Sequence, residues 1–249
     1  MTINSEPNRP DRWRSPEFAN SWFATNQTRL TEQSIRKRLV SALPFQPGAI
    51  IRVLDVGTGD GALGLEVLSA YPKAQLVCHD YSEAMLVHAR QQLAKFSPSV
   101  SFVTSDLKDP EWTHVIEGSF DAVVSSIAIH NVAEQSDSGS DRIRAIYAEI
   151  FSLLKEGGCF FNFEFVSPPG PVTEGIYLKK LVDDYQSRPK VERRTERNSE
   201  EFKTATLRHL RHVHTPLLDQ LNWLRQAQFD EVDCFWKDMQ TAIIVGFRH

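Results

Sequence analysis

The stretch Val53-Leu54-Asp55-Val56-Gly57-Thr58-Gly59-Asp60-Gly61-Ala62 sets three glycines and two carboxylates close behind an apolar run. Glycine at this spacing lets the chain turn tightly and lets a ligand meet the backbone with no Cβ in the way; a side chain at Gly59 would block that approach. A helix starting after the turn offers free N–H groups to an anionic group. Gly57, Gly59 and Ala62 also satisfy the dinucleotide pattern G-x-G-x-x-G/A, so the glycines alone do not choose a ligand. The carboxylates do. Asp55 and Asp60 would repel a pyrophosphate and attract a cationic ligand, on the order of several kcal/mol for a close, partly desolvated pair.

Asp80 follows at the end of the next apolar run, where a carboxylate can accept both hydroxyls of a ribose. Ser105-Asp106-Leu107 follows a third run. There Asp106 suits an adenine amino group and Leu107 the ring face, although by itself such an aspartate is more often a loop residue or helix cap. A cationic, adenosine-containing ligand fits the set, which points to S-adenosylmethionine rather than a nicotinamide dinucleotide. Downstream candidates for chemistry on an acceptor are His130, Asn131 and Glu164. An imidazole at 130 suits a general base or a loop residue that shapes the pocket. Glu164 lies in Phe160-Phe161-Asn162-Phe163-Glu164-Phe165, where alternation accounts for it as strand patterning. His209, His212 and His214 invite a metal reading, but His214 falls off the helix face the other two share, and no metal site is expected.

These residues need elements to hold them. Ile50–Val56, Ala74–His79, Val100–Thr104, Phe120–Ile127 and Cys159–Val166 read as strands. Helices are expected over 61–70, 83–95 (with Ser82 as N-cap) and 141–155, the last stopped by Gly157-Gly158. Such alternation with short connections predicts a doubly wound α/β fold with a parallel sheet covered on both faces. Residues 1–16 read as disordered or loosely draped, and 17–43 as one or two helices covering the core, with Trp22 and Phe23 as candidates to close the site. After Pro168-Pro169-Gly170-Pro171 the rhythm breaks, and 172–214 reads as a charged helical insertion suited to a lid. Its Arg193, Arg194, Arg197, Arg208 and Arg211 suit a solvated basic face, an acidic substrate or an RNA contact. Helix 216–227 and strands 230–236 and 241–247 complete a single domain over 1–249, with 50–166 and 216–249 forming the core sheet.

The formal net charge of -4 disfavours a general nucleic-acid binder. Cys78, Cys159 and Cys234 lie too far apart for a CxxC site, and each falls in an expected strand. No signal-peptide core or membrane-length apolar run is present, so a cytoplasmic protein without a membrane partner is expected.

Four segments together resemble the class I methyltransferase family: Asp55-Val56-Gly57-Thr58-Gly59-Asp60-Gly61, Asp80-Tyr81-Ser82-Glu83-Ala84-Met85-Leu86-Val87-His88-Ala89-Arg90, Phe120-Asp121-Ala122-Val123-Val124-Ser125-Ser126 and Leu153-Leu154-Lys155-Glu156-Gly157-Gly158. The resemblance implies a seven-stranded Rossmann-like sheet in order 3-2-1-4-5-7-6 with strand seven antiparallel. It also implies that Asp55, Gly57, Thr58 and Gly59 line the methionine end of S-adenosylmethionine. Asp80 would hold the ribose, Tyr81 and Met85 would lie against the adenine, Asp106 and Leu107 would fix the base, and Ser125 would lie near the sulfonium. Gln228 departs from the pattern, where the family usually has glycine. The layout is also distantly similar to enzymes that make carboxy-S-adenosylmethionine for tRNA modification. The expected activity is methyl transfer to a small-molecule acceptor by in-line displacement. RNA modification and non-catalytic cofactor binding are the alternatives, and oligomeric state is left open.

Overall fold

In the computed structural model, described over residues 11–26, 30–135, 139–187 and 199–249, eight strands form one sheet. They are β1 (Arg52–Val56), β2 (Gln75–Asp80), β3 (Val100–Thr104), β4 (Phe120–Ser126), β5 (Leu154–Ser167), β6 (Thr215–Pro216), β7 (Asp230–Asp238) and β8 (Thr241–Phe247). The main order is β3-β2-β1-β4-β5-β8-β7. β1 to β5 run parallel, and β8 lies antiparallel between β5 and β7. This is the expected order with the last strands renumbered. The extra strand is β6, whose two residues pair with Val166 and Ser167 at the carboxyl end of β5. Two residues are too few to show a periodicity in the sequence.

Helices cover both faces. α2 (Leu30–Ser41), α3 (Ala62–Ala70) and α4 (Glu83–Leu93) belong to one side, where Leu39, Leu63, Val67 and Leu93 share a core with Val53, Phe161 and Phe163. α5 (Gly139–Leu153) and α8 (Leu217–Gln226) cover the other, where Ile143, Ile146, Tyr147, Ile150 and Leu224 pack on Leu54, Val123 and Phe160. Two-sided burial explains why the inner strands read as continuous apolar runs.

Two local expectations are corrected. α5 ends at Leu153, before the glycines. Gly157 and Gly158 instead sit where the β4–β5 register jumps from Phe120↔Leu154 to Ala122↔Cys159, a bulge that absorbs the surplus residues. Residues 11–14 are not loose: they form a short 3-10 helix before α1 (Pro16–Asn26), because Trp13 packs edge-on against Phe18 and Trp22, and its carbonyl accepts from the Ser82 hydroxyl. Gln228 adopts φ 75°, so the turn before β7 keeps the left-handed geometry that favours glycine while bearing a side chain. The insertion folds as α6 (Pro171–Ser187) and α7 (Ser199–His212).

Candidate cofactor and acceptor site

Beyond the carboxyl ends of β1, β2 and β4 lies a cavity of about 320 Å³. Open parallel sheets place ligands here because the strand-to-helix turns diverge at this edge.

The glycine turn forms its floor. A Cβ on Gly57 would fall 2.3 Å from the Ala128 methyl, and Gly57 itself has φ 68°. Gly59 has φ 55°, but its Cβ would meet only Met85 Cε, at 3.5 Å. The tighter steric demand therefore falls on Gly57. Thr58 donates its hydroxyl to Asp55 Oδ2 at 2.7 Å, while Asp55 Oδ1 is buried with no donor in range. Burial pushes the Asp55 carboxyl up to about 7, against the downward pull of the Thr58 hydroxyl and with further upward pressure from the Asp80 charge. Asp60 Oδ1 accepts the Ala62 N–H at 3.2 Å, at the start of α3.

Asp80 is held before any ligand arrives. Its Oδ2 accepts the Gly59 N–H and its Oδ1 the Ser82 N–H, both at 2.9 Å. A carboxylate has about four acceptor positions, so each oxygen keeps capacity for a hydroxyl. Burial raises this carboxyl to about 6, moderated by the N–H groups of Ser82, Gly59 and Tyr81. Ser82 also caps α4 by accepting from the Met85 N–H.

Tyr81, Met85, Asp106 and Leu107 all line the cavity. Asp106 does two things: its Oδ1 accepts the Lys108 N–H in a local turn, and its Oδ2 lies 3.6 Å from Arg14. The Arg14 guanidinium also covers the Tyr81 ring at 5.3 Å. Ser125 is set apart from the other candidates. It is buried in β4, its hydroxyl donates to the Val56 carbonyl at 2.9 Å, and Ser126, Ile127 and Ala128 form the wall in its place. Ile127, a β-branched residue, has φ 52°, and its N–H donates to the Phe163 carbonyl at 2.7 Å.

The side expected to face an acceptor gathers residues far apart in sequence. His130 Nδ1 lies 2.6 Å from Glu164 Oε1, the His130 N–H donates to Glu164 Oε2 at 3.1 Å, and the Phe165 N–H donates to Oε1 at 2.8 Å. Glu164 is 2% exposed, so it is a buried polar partner rather than strand patterning. A carboxylate at this distance directs Nδ1 to donate to Glu164 and leaves Nε2 turned away from it. The His214 ring stacks on Phe165 at 4.9 Å and stands edge-on to His130 at 5.7 Å. Val213 and His214, at the end of the insertion, line the cavity, as do Trp13 and Trp22 from the N-terminal side. Phe23 does not: it stacks on His88 of α4. Asn131 lines the wall and donates to the Ala128 carbonyl.

The insertion's basic residues are only partly described. Arg193, Arg194 and Arg197 lie outside the described residues, as do the side chains of His209 and His212. Arg211 makes a two-point ion pair with Glu174 at 2.8 and 2.6 Å, which ties α7 to α6 rather than addressing a substrate. Sequence reasoning passed over Trp13, Arg12, Arg36 and the Glu164 pairing. Only the Glu164 carboxylate, set among phenylalanines, carried a usable signal.

Residues 53–158 match the family model described as a methyltransferase domain. The ubiquinone/menaquinone biosynthesis C-methyltransferase UbiE of Geobacter sulfurreducens is 30% identical over 143 residues, 57% of this chain and 52% of that protein. An O-methyltransferase family protein from Burkholderia thailandensis shares the fold at TM-score 0.68 and 18% identity, over 97% of this chain and 63% of that one. An O-methyltransferase family 2 protein from Planctomyces limnophilus, in complex with apigenin, does so at TM-score 0.61 and 19% identity, over 93% and 62%. The chain is similar over residues 53–158 to a methyltransferase domain and shares the fold of these O-methyltransferase structures. It spans about half the length of the curated relatives it matches. Among the described residues, no helix is long and apolar enough to cross a membrane.

Proposed function

We propose that the protein transfers a methyl group from S-adenosylmethionine to a small-molecule acceptor, with His130 as general base. The carrying observation is that a single cavity is lined both by Asp55, Asp80 and Asp106 and by His130. The residues suit the cofactor: Asp55 Oδ1 is a buried acceptor awaiting a donor, Asp80 keeps acceptor positions for two hydroxyls, and no Cβ projects from Gly57 or Gly59. S-adenosylmethionine, when bound, supplies an electrophilic methyl group. Tyr81, Met85 and Leu107 would enclose the adenine, with Asp106 at its amino edge.

On the acceptor side Glu164 fixes the imidazole tautomer, so Nε2 can take the proton of an acceptor hydroxyl or acidic carbon as the methyl group arrives. Phe165, Val132, Val213 and Ile127 give this end an apolar lining suited to a flat, weakly polar acceptor. The names of the relatives point the same way, to quinone C-methylation and to an apigenin complex. Trp13 and Trp22 from one side, and Val213 and His214 from the other, would exclude water.

The test pairs binding with turnover. S-adenosylhomocysteine should bind and NAD should not. Labelled methyl transfer to hydroxylated aromatics and quinols should then exceed transfer to bulk tRNA. Preferential labelling of tRNA would favour the RNA-modification reading, and cofactor binding without transfer to any acceptor would favour a non-catalytic one.

A further inference from the structure

Arg36 stands on the cavity wall with its side chain 10% exposed. Among the described residues its guanidinium makes no hydrogen bond. Nε is buried without a partner, and the ion pair with Glu32, one helical turn earlier, spans 3.9 Å, beyond hydrogen-bond reach. A guanidinium brings five donors and no acceptor, so burying it unsatisfied is costly unless a ligand completes it.

Its place in the fold is set by its neighbours. Ile35, Leu39 and Val40 of α2 share a core with Leu63 of α3 and Phe163 of β5, and Gln33 donates to Glu66 of α3. Arg36 is thereby held on the helix that packs beside the glycine turn. The wall carries two other such cations, Arg12 and Lys108. Arg12 lies over the Trp13 and Phe18 rings, and Lys108 follows Asp106 and Leu107.

The same cavity therefore presents two buried, incompletely satisfied groups of opposite charge, Arg36 and Asp55, with no ion pair joining them. Such an arrangement complements a zwitterion, with an ammonium at the carboxylate and a carboxylate at the guanidinium. We propose that Arg36 is the anchor for the carboxylate at the amino-acid end of the cofactor, an inference that rests on the cavity being the S-adenosylmethionine site. The planar fork suits two-point recognition of a carboxylate, which a lysine ammonium does not reproduce.

Calorimetry with S-adenosylmethionine and with decarboxylated S-adenosylmethionine tests this, because the second keeps the sulfonium, ammonium, ribose and adenine. Wild-type protein should prefer the intact compound at least tenfold. Arg36→Gln should weaken the intact compound at least tenfold and the decarboxylated one less than twofold, with Arg36→Lys in between. Without ligand, the melting temperature of Arg36→Gln should be unchanged or raised, since the free protein gives this guanidinium no hydrogen bond. Equal losses for both ligands with a lowered melting temperature would mark a structural role and overturn the assignment. Unchanged affinity for the intact compound would overturn it too, by placing the cofactor carboxylate elsewhere. Wild-type protein that binds neither compound would instead refute the cofactor reading, and this inference with it.

Discussion

The two ends of the cavity are assembled in different ways. At the end proposed for the adenosine, each residue sits within a few positions of a strand terminus: Gly57 and Gly59 after β1, Asp80 and Tyr81 at the end of β2, Asp106 and Leu107 after β3. Their polar groups are largely engaged in advance, with Asp80 already holding the Gly59 and Ser82 N–H groups. At the end proposed for the acceptor, His130, Phe165 and His214 come from three separate segments and meet through ring contacts and one buried carboxylate. A site made of local turns inherits its geometry from the sheet. A site made of distant segments depends on how those segments pack, and is freer to change.

The substitution that should damage both ends at once is Gly57→Val. It forces a side chain into the Ala128 methyl and a β-branched residue into a left-handed conformation. A loss of about 3 kcal/mol or more in urea unfolding, with cofactor binding abolished, is expected. A variant that folds and binds normally would place the ligand elsewhere.

His130→Ala should separate the two ends. Turnover should fall about 10²- to 10⁴-fold with the cofactor dissociation constant unchanged. Glu164→Gln should cost less and should alter the pH–rate profile, since Glu164 acts through the imidazole. Equal turnover in wild type and His130→Ala would remove the general base from the mechanism.

Asp80→Ala should weaken S-adenosylmethionine at least tenfold by calorimetry. A charge-assisted hydrogen bond contributes about 1.5–3 kcal/mol, and two backbone N–H groups also lose their acceptor. Turnover at saturating cofactor should change much less, which is the reverse of the His130 pattern.

The smallest effect is in pH. The native carboxyls of Asp55 and Asp80, at about 7 and about 6, lie above their ordinary 3.8. The unliganded protein therefore holds protons that the unfolded chain has released. The associated stabilisation is whole below about pH 4 and is lost as pH rises through 6 to 7. A cationic ligand favours the ionised forms, so its binding should release protons. Affinity should rise with pH by at most about tenfold per unit between about pH 6 and 7, where Asp55 alone still titrates, then level off. S-adenosylhomocysteine, which lacks the sulfonium charge, should show a shallower rise; equal slopes for the two ligands would contradict the electrostatic account.

This contrast also explains what the chain made legible. β1, β2 and β4 announce themselves because burial on both faces demands largely apolar runs, and the glycine turn because only glycine fits against Ala128. Asp80 was readable from its position at a strand end. β6, the stacking of His214 on Phe165 and the cavity-facing Trp13 were not, since each depends on packing between segments far apart in sequence. Glu164 was misread because alternation on a strand looks the same whether the polar residue faces solvent or a buried histidine.

Ile127 carries a consequence of its own. A β-branched residue held at positive φ costs about 1–3 kcal/mol, and persists only while its surroundings enforce it. Here the enforcing bond runs to the carbonyl of Phe163, the residue next to Glu164 on β5. The turn after β4, the imidazole at 130 and its carboxylate partner therefore share one mechanical linkage. Replacements that relieve the strain would make the fold more stable and leave the imidazole less firmly aimed. With His130 as the proposed base, selection for stability and selection for turnover pull in opposite directions at this position, and the strained residue is the one that a lineage needing only a cofactor-binding protein would be free to lose.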